Sequence, residues 1–351
     1  MKKRSIFIIF AIFLVLFLAA GCSGEEREAA GADDNEIDAA KRTDDVEKNQ
    51  KEVSVDETAQ EEDSDFKVTL IGTGSPLLGT NRFGMSTLVE AGEEKILIDA
   101  GRGSAVHLNK SGVMPGEIDK LFLTHLHSDH TVGIPDIWLT GLLKGMEGNR
   151  ETEFQVWGPQ GTKELMSGLE AGYEDDVENR VGGEFSMPEG ARTKSHEIEE
   201  GVVYDENDIE IIAFTVEHDI APAFGYRINY NGHSVVISGD TTYNENLIDN
   251  SKEADLIVHE VAAADPKEMK KEETFEHILS KHTTPEEAGK VFQRAQPKLA
   301  VYSHIVLLGS LKEEKADLVE RTKKNYDGEV VVGEDLMSFH IGEEVTVKKT
   351  K

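Results

Sequence analysis

The chain has 351 residues, 38% of them hydrophobic, and carries 68 Asp and Glu against 37 Lys and Arg, a formal charge of -31. That composition excludes a multi-span membrane protein and a chain disordered throughout, and its overall field should repel bulk nucleic acid and anionic lipid unless a local basic patch intervenes. The single cysteine, Cys22, excludes an internal disulfide framework and any paired-cysteine zinc or redox site.

At the N-terminus, Lys2, Lys3 and Arg4 precede an apolar run from Ile6 to Ala20 that ends at Gly21 and Cys22. This order of positive, apolar and small residues is that of an export signal over residues 1–21, and the run is short for a membrane-spanning helix. The Ala19-Ala20-Gly21 triplet before the cysteine resembles a bacterial lipoprotein cleavage box, with Ala19 where that pattern carries Leu. Lipidation of Cys22 would hold the chain at the membrane surface, on the extracytoplasmic face of the bacterial cell membrane. A plain secretory signal and an uncleaved anchor are the alternatives, and both also place the chain outside the cytoplasm. Ser23 to Asp65 holds 17 acidic and 5 basic residues and no aromatic. Such a stretch cannot bury a core, so residues 22–65 read as an acidic solvated tether.

From Phe66 short runs rich in β-branched residues appear, bounded by Gly, Pro or Asp. Strands are expected at Lys67–Ile71, Ser86–Glu90, Lys95–Asp99, Lys120–Thr124 and Glu153–Trp157. Further strands are expected at Ile209–Val216, Phe224–Asn229, His233–Ser238, Asp255–Val258, Leu299–Ser303 and Glu329–Val332. Helices are expected at Gly103–Lys110, Thr162–Leu169, Thr284–Ala295 and Leu311–Tyr326. Thr284-Pro285-Glu286-Glu287 is the best helix start, with a Thr cap, Pro at the first position and Glu at the third. It gives the loop carrying His282 a fixed end. Strands in excess of helices predict two sheets with helices outside, in one domain over residues 66–351.

The chemistry begins after the strand Lys120–Thr124, where the chain reads His125-Leu126-His127-Ser128-Asp129-His130. On a strand end His125 and His127 face the same way, while Asp129 and His130 follow in a turn and can face a second centre. Two neighbouring divalent ions need that many nitrogen and oxygen donors. Imidazole and carboxylate without thiolate suit zinc, with manganese or iron as competitors.

This HxHxDH pattern resembles that of the metallo-beta-lactamase-fold hydrolases. Closer still, the chain resembles the branch that holds the transfer-RNA 3'-end endonucleases (ribonuclease Z) and the related phosphodiesterase and arylsulfatase-like enzymes. The resemblance runs from Phe66 to Ser338 and includes the glycine-rich opening Ile71-Gly72-Thr73-Gly74-Ser75-Pro76. It implies an α/β (α+β) architecture, a four-layer αββα sandwich. It also implies a ligand set: His125, His127 and His218 for one metal, Asp129, His130 and His304 for the other, and Asp240 between them. His218, Asp240 and His304 each follow or end an expected strand, and each taken singly is also an ordinary exposed histidine or turn aspartate.

The same resemblance assigns His259, Glu260 and His282, the last standing 22 residues before His304, as the branch's leaving-group acid does. A carboxylate such as Glu260 can fix the tautomer of His282 and raise its pKa, while His259 either binds phosphate or supports the site. The implied reaction is dinuclear metal-dependent hydrolysis of a small phosphodiester or related ester. Asp129 and Asp240 would orient a metal-activated water, and a sulfate ester would fit the same scheme.

Transfer-RNA enzymes of this branch grasp RNA through an inserted arm rich in Gly, Pro and basic residues. Here Leu169–Glu200 carries Glu174-Asp175-Asp176 and offers little attraction for phosphate. With export and an acidic whole, this sets the expectation of a small anionic ester substrate and no nucleic-acid partner. A ribonuclease Z-like endonuclease, an arylsulfatase-like enzyme and a non-catalytic surface binding protein are the alternatives. Trp138, Trp157 and Phe214 are candidates for an aromatic wall or for core packing, and relatives that dimerise leave a homodimer open.

Overall fold

The computed structural model describes residues 65–349 except 79–80, 146, 182, 184–185, 266, 269–272 and 310–314. The expected signal, Cys22 and the tether up to residue 64 lie outside the described residues. The first half of the domain runs β1 (Phe66–Gly72), β2 (Ser86–Ala91), β3 (Glu94–Ile98), α1 (Ser104–Lys110), β4 (Lys120–Phe122), α2 (Ser128–Thr131), α3 (Ile134–Gly141), β5 (Phe154–Gly158), α4 (Thr162–Gly172), α5 (Glu174–Val181) and β6 (Thr193–Glu197). The second half runs β7 (Gly201–Glu206), β8 (Ile209–Val216), β9 (Ala223–Tyr230), β10 (His233–Ile237), α6 (Glu245–Asn250), β11 (Leu256–Ala264), α7 (Glu273–Leu279), α8 (Pro285–Ala295), β12 (Leu299–Leu308), α9 (Lys315–Thr322) and β13 (Val330–Val332). β14 (Ser338–Ile341) and β15 (Val345–Lys348) close the chain.

β1, β2 and β3 are antiparallel neighbours, and β3 to β6 continue in parallel. With β14 and β15 added beyond β1, the first sheet is ordered β15-β14-β1-β2-β3-β4-β5-β6. The second sheet repeats the plan: an antiparallel meander from β7 to β10, then parallel strands to β13.

Alternation of side chains decides which layer each residue enters. Phe66, Val68 and Leu70 of β1 enter the layer between the sheets, where they join the cluster that holds Phe224, Tyr226 and Ile228 of β9. Ile71 turns outward, into the cluster of Leu108 from α1, Trp138 from α3 and Met166 from α4. On β11, Leu256 and Val258 enter the shared layer, whereas Ile257 and Val261 join Ile248 of α6, Phe292 of α8 and Leu318 of α9. The result is the αββα sandwich.

Every expected strand forms, and the helix begun by Thr284 forms with its capping box. Of the expected helix Leu311–Tyr326, α9 covers Lys315–Thr322, ending four residues before Tyr326, with 311–314 outside the described residues. β6, β7, β14 and β15 were not expected from the pattern. β6 reads Thr193-Lys194-Ser195-His196-Glu197 with no aliphatic residue, and forms because it adds to β5 in parallel. Trp138, Trp157 and Phe214 are core residues rather than a wall; Trp157 is stacked on Phe122 at 4.7 Å and on His196 at 4.5 Å between ring centroids.

One buried cation braces the first half. Arg150, 1% exposed, donates to the carbonyls of Pro115, Ile118, Ile137 and Trp138 at 2.9–3.1 Å and lies over the Phe154 ring at 4.6 Å. Burial pushes its pKa down to about 9, which leaves it charged at neutral pH.

Candidate metal centre

β4 ends at Phe122, and Leu123 stays on the sheet because its N–H donates to the Trp157 carbonyl at 2.7 Å and its carbonyl accepts from the buried Tyr226 hydroxyl at 2.6 Å. The chain then delivers His125, and His127 stands at the cap of α2, whose single turn carries Asp129 and His130. His218 follows β8, Asp240 follows β10, and His304 lies in β12. The site therefore forms where strands of both sheets end, the usual place for a site in a parallel α/β arrangement.

The imidazoles of His125, His127 and His218 converge. His127 Nδ1 lies 3.0 Å from His125 Nε2 and 3.2 Å from His218 Nε2. A second group forms beside it, with His304 Nε2 at 3.1 Å and His130 Nε2 at 3.5 Å from Asp129 Oδ2. Asp240 stands between the groups. Its Oδ2 is 3.9 Å from His125 Nε2, 3.8 Å from His218 Nε2 and 3.3 Å from His304 Nε2, and its Oδ1 is 3.5 Å from His130 Nε2. All seven expected ligand residues are thus together.

Residues behind the ligands fix their ring orientation. Asp99 Oδ2 lies 2.8 Å from His130 Nδ1, and the same carboxylate accepts from the Thr124 N–H and hydroxyl at 2.8 Å each. The Lys281 carbonyl lies 3.0 Å from His218 Nδ1. With one ring nitrogen committed outward, the other presents its lone pair to the centre. Asp99 was not foreseen. An acid closing an apolar strand just before Ala100 and Gly101 was the signal available.

The electrostatics of the bare ligands are those of a site built for cations. Burial pushes His125 well below its ordinary pKa, helped by its neighbouring imidazoles. Burial would also depress His130, but Asp240 and Asp99 overcome it and hold that ring well above its ordinary value. Burial would raise Asp240, yet His304 and His130 keep it well below the usual carboxylate range. His130 Nε2 and Asp240 Oδ1 are buried and make no hydrogen bond among the described residues. Orphaned nitrogen and oxygen donors converging on a shared point fit divalent ions, and with no thiolate the set suits two zinc ions.

Beside the centre, Glu260 ties two loops together. Its Oε1 accepts from Thr241 N–H at 3.2 Å, next to Asp240, and from Thr283 N–H at 2.9 Å, and it lies 3.3 Å from His282 Nδ1. The α8 cap stops the His282 loop, with Thr284 N–H donating to Glu287 Oε2 at 3.0 Å. Burial would push the His282 pKa down, but Glu260 raises it to about 9. The His282 ring lies 5.3 Å from His218 and 5.6 Å from His304 between centroids. His259 is not among these groups. It is fully buried, its Nδ1 lies 2.6 Å from the Glu260 carbonyl, and its ring meets Phe292 edge-on in the outer core.

Residues 94–305 match the family model described as the beta-lactamase superfamily domain. Ribonuclease Z from Mycobacterium sp. (strain KMS) is 30% identical over 284 residues, covering 81% of this chain and 99% of that protein. Among solved structures, the metallo-beta-lactamase fold protein YhfI from Bacillus subtilis aligns with a TM-score of 0.59 at 19% identity, covering 78% of this chain and 98% of that one. The short form of human tRNase Z aligns with a TM-score of 0.56 at 24% identity, covering 79% and 99%. These two likenesses are of fold.

The similarity to proteins named ribonuclease Z overturns the expectation against nucleic acid as a partner. Two physical errors lay behind that expectation. Net charge averages over the chain, and 17 of the 68 acidic residues sit in Ser23–Asp65, whereas a substrate meets the local field, where bound divalent ions are the largest charges. Within Leu169–Glu200, Thr193–Glu197 is β6, hydrogen-bonded to β5 in the first sheet, so this part of the stretch belongs to the fold and not to an inserted RNA arm.

Proposed function

We propose a reaction for this chain, which belongs to the beta-lactamase superfamily: hydrolysis of a phosphodiester at the dinuclear centre, with His282 protonating the leaving oxygen. The observation that carries this reading is the Glu260–His282 pair, 3.3 Å between Oε1 and Nδ1, set against the ligand cluster. In this reading His125, His127 and His218 would hold one ion and Asp129, His130 and His304 the other, with Asp240 available to both. The chemistry such ions supply when bound is a water acidified to near neutrality and an electrostatic sink for phosphoryl charge.

The protein's own groups supply the rest. Asp129 and Asp240 accept hydrogen bonds from the attacking water and fix its line of approach. His282 keeps its Nδ1 proton directed at Glu260, so the proton on Nε2 is the one passed to the departing oxygen. Glu260 also fixes the Asp240 loop through Thr241, which keeps acid and ligand in register. His259 supports this arrangement from behind by holding the Glu260 carbonyl. The relatives named ribonuclease Z bring an RNA phosphodiester within the proposed substrates, beside small diesters.

The test is a panel of bis-p-nitrophenyl phosphate, p-nitrophenyl sulfate, a cyclic nucleotide and precursor transfer RNA, with zinc content recorded. Metal-dependent turnover of a phosphodiester is expected, lost in His282→Ala while zinc is retained. Turnover of the sulfate ester alone would overturn the reading, and precursor cleavage outpacing the small diesters would make RNA the substrate.

For location, we infer export and lipid anchoring through Cys22, with residues 22–65 as the tether and residues 66–351 as the hydrolase domain. Support comes from the sequence alone; no helix among the described residues is long and apolar enough to cross a membrane. Labelled palmitate should enter the wild-type chain in a bacterial host and not Cys22→Ser. Equal labelling would overturn the anchor.

A further inference from the structure

The ligand His304 occupies an irregular position in its own strand. β11 and β12 pair in parallel, with Glu260 opposite Ser303 and Val261 opposite Ile305, so His304 is the extra residue of a bulge. Its φ is 41°, a left-handed conformation that a residue with a Cβ adopts only when its surroundings impose it. The ladder with β11 does not impose it. The next amide, Ile305 N–H, leaves the sheet and donates to the Thr73 carbonyl at 2.9 Å.

Thr73 lies in the glycine-rich turn after β1 and is itself held by Asp335, from the loop between β13 and β14. Asp335 Oδ1 accepts from both the Thr73 N–H at 2.9 Å and the Thr73 hydroxyl at 2.6 Å, while Oδ2 accepts from Phe83 N–H at 2.6 Å. The Asp335 loop is anchored in turn: Gly333 N–H donates to the Tyr302 carbonyl at 2.9 Å, and Leu336 N–H to the Leu70 carbonyl at 2.7 Å. Arg82 adds a donor to the Thr73 hydroxyl at 2.6 Å, so Asp335, with Arg82 beside it, holds Thr73 in place, and the Thr73 carbonyl holds the amide that follows His304.

We infer that Asp335, through Thr73, is a positioning residue for His304 and thereby for the second ion. The inference rests on the ligand assignment proposed above. Asp335 acts through its two hydrogen bonds to Thr73 and is not among the residues that would hold an ion.

The test is zinc affinity, resolved into two dissociation constants by competition with a chromophoric chelator, on the purified full chain. Asp335→Ala, which removes both acceptors, should bind one ion as the wild type does and the other about 10-fold more weakly, the low end of the cost of losing a direct outer partner of a ligand. Thr73→Val, which keeps the backbone donor and loses the hydroxyl, should weaken the same site by a smaller factor, and it decides the matter if Asp335→Ala does not fold. Combining Asp335→Ala with His304→Ala should add nothing to the loss caused by His304→Ala. Two unchanged affinities, or equal loss at both sites, would overturn the inference. A wild-type chain that binds fewer than two ions would instead overturn the ligand assignment itself.

Discussion

Arg150 and the histidine centre both bury charge beside the first sheet, and they satisfy it in opposite ways. Arg150 is surrounded by backbone carbonyls already present when the chain folds, so its charge is answered by the protein alone. At the centre, His130 Nε2 and Asp240 Oδ1 make no hydrogen bond among the described residues, although both residues are as deeply buried. A saturated buried charge braces the structure, while an unsaturated one is a request for a ligand. The distinction lies in the partners, since burial is the same in both places.

The comparison can be broken at four points. The largest effect is expected from Asp240→Ala, which removes the carboxylate shared by both ligand groups. Zinc content should fall below two equivalents and turnover by at least roughly 10³-fold, as chelation of the wild type should also do. Full activity in either case would refute a metal-dependent reaction. Arg150→Leu should cost about 3 kcal/mol by stranding its carbonyls, roughly 10²-fold in the unfolding equilibrium, and leave both zinc affinities intact. A denaturant titration beside the chelator assay checks both halves of that statement, and a zinc defect would erase the distinction drawn here.

Asp99→Asn should weaken zinc binding by about 10- to 100-fold, because His130 loses the carboxylate that fixes its ring. The smallest effect is a displacement along the pH axis. His282 must be protonated to serve the leaving oxygen, so activity is present below its pKa and is lost as pH rises through it. Glu260 raises that pKa against the effect of burial. In Glu260→Gln the alkaline limb of kcat/KM should therefore move to lower pH, by roughly one pH unit. A limb that stays in place would remove His282 from the acid's role.

What could be read in advance followed how local each signal is. His125 to His130 lie within six residues, and their chemistry is explicit in the string itself. His218, Asp240 and His304 are isolated in sequence, and only the family resemblance linked them to the motif. Asp335 and Arg150 carry no signal of role in the string, and Asp99 only that of an acid closing an apolar strand, because each acts through neighbours that only the folded chain supplies: Thr73, the Pro115–Trp138 carbonyls and Thr124. β6 was missed for a related reason. Its polar residues form a strand because β5 offers an edge, which no periodicity in Thr193–Glu197 announces. Net charge misleads for the converse reason, since a whole-chain sum says little about the field in one cleft.

The repeated plan of the two sheets has a consequence for assembly. His125, His127, Asp129 and His130 come from the first half of the domain, and His218, Asp240 and His304 from the second. Bound ions would then act as a clasp across the seam, fastened only after β12 is in place. Stripping them should loosen the rim where strands of both sheets meet while the three apolar layers hold, and amide exchange should quicken first at that rim.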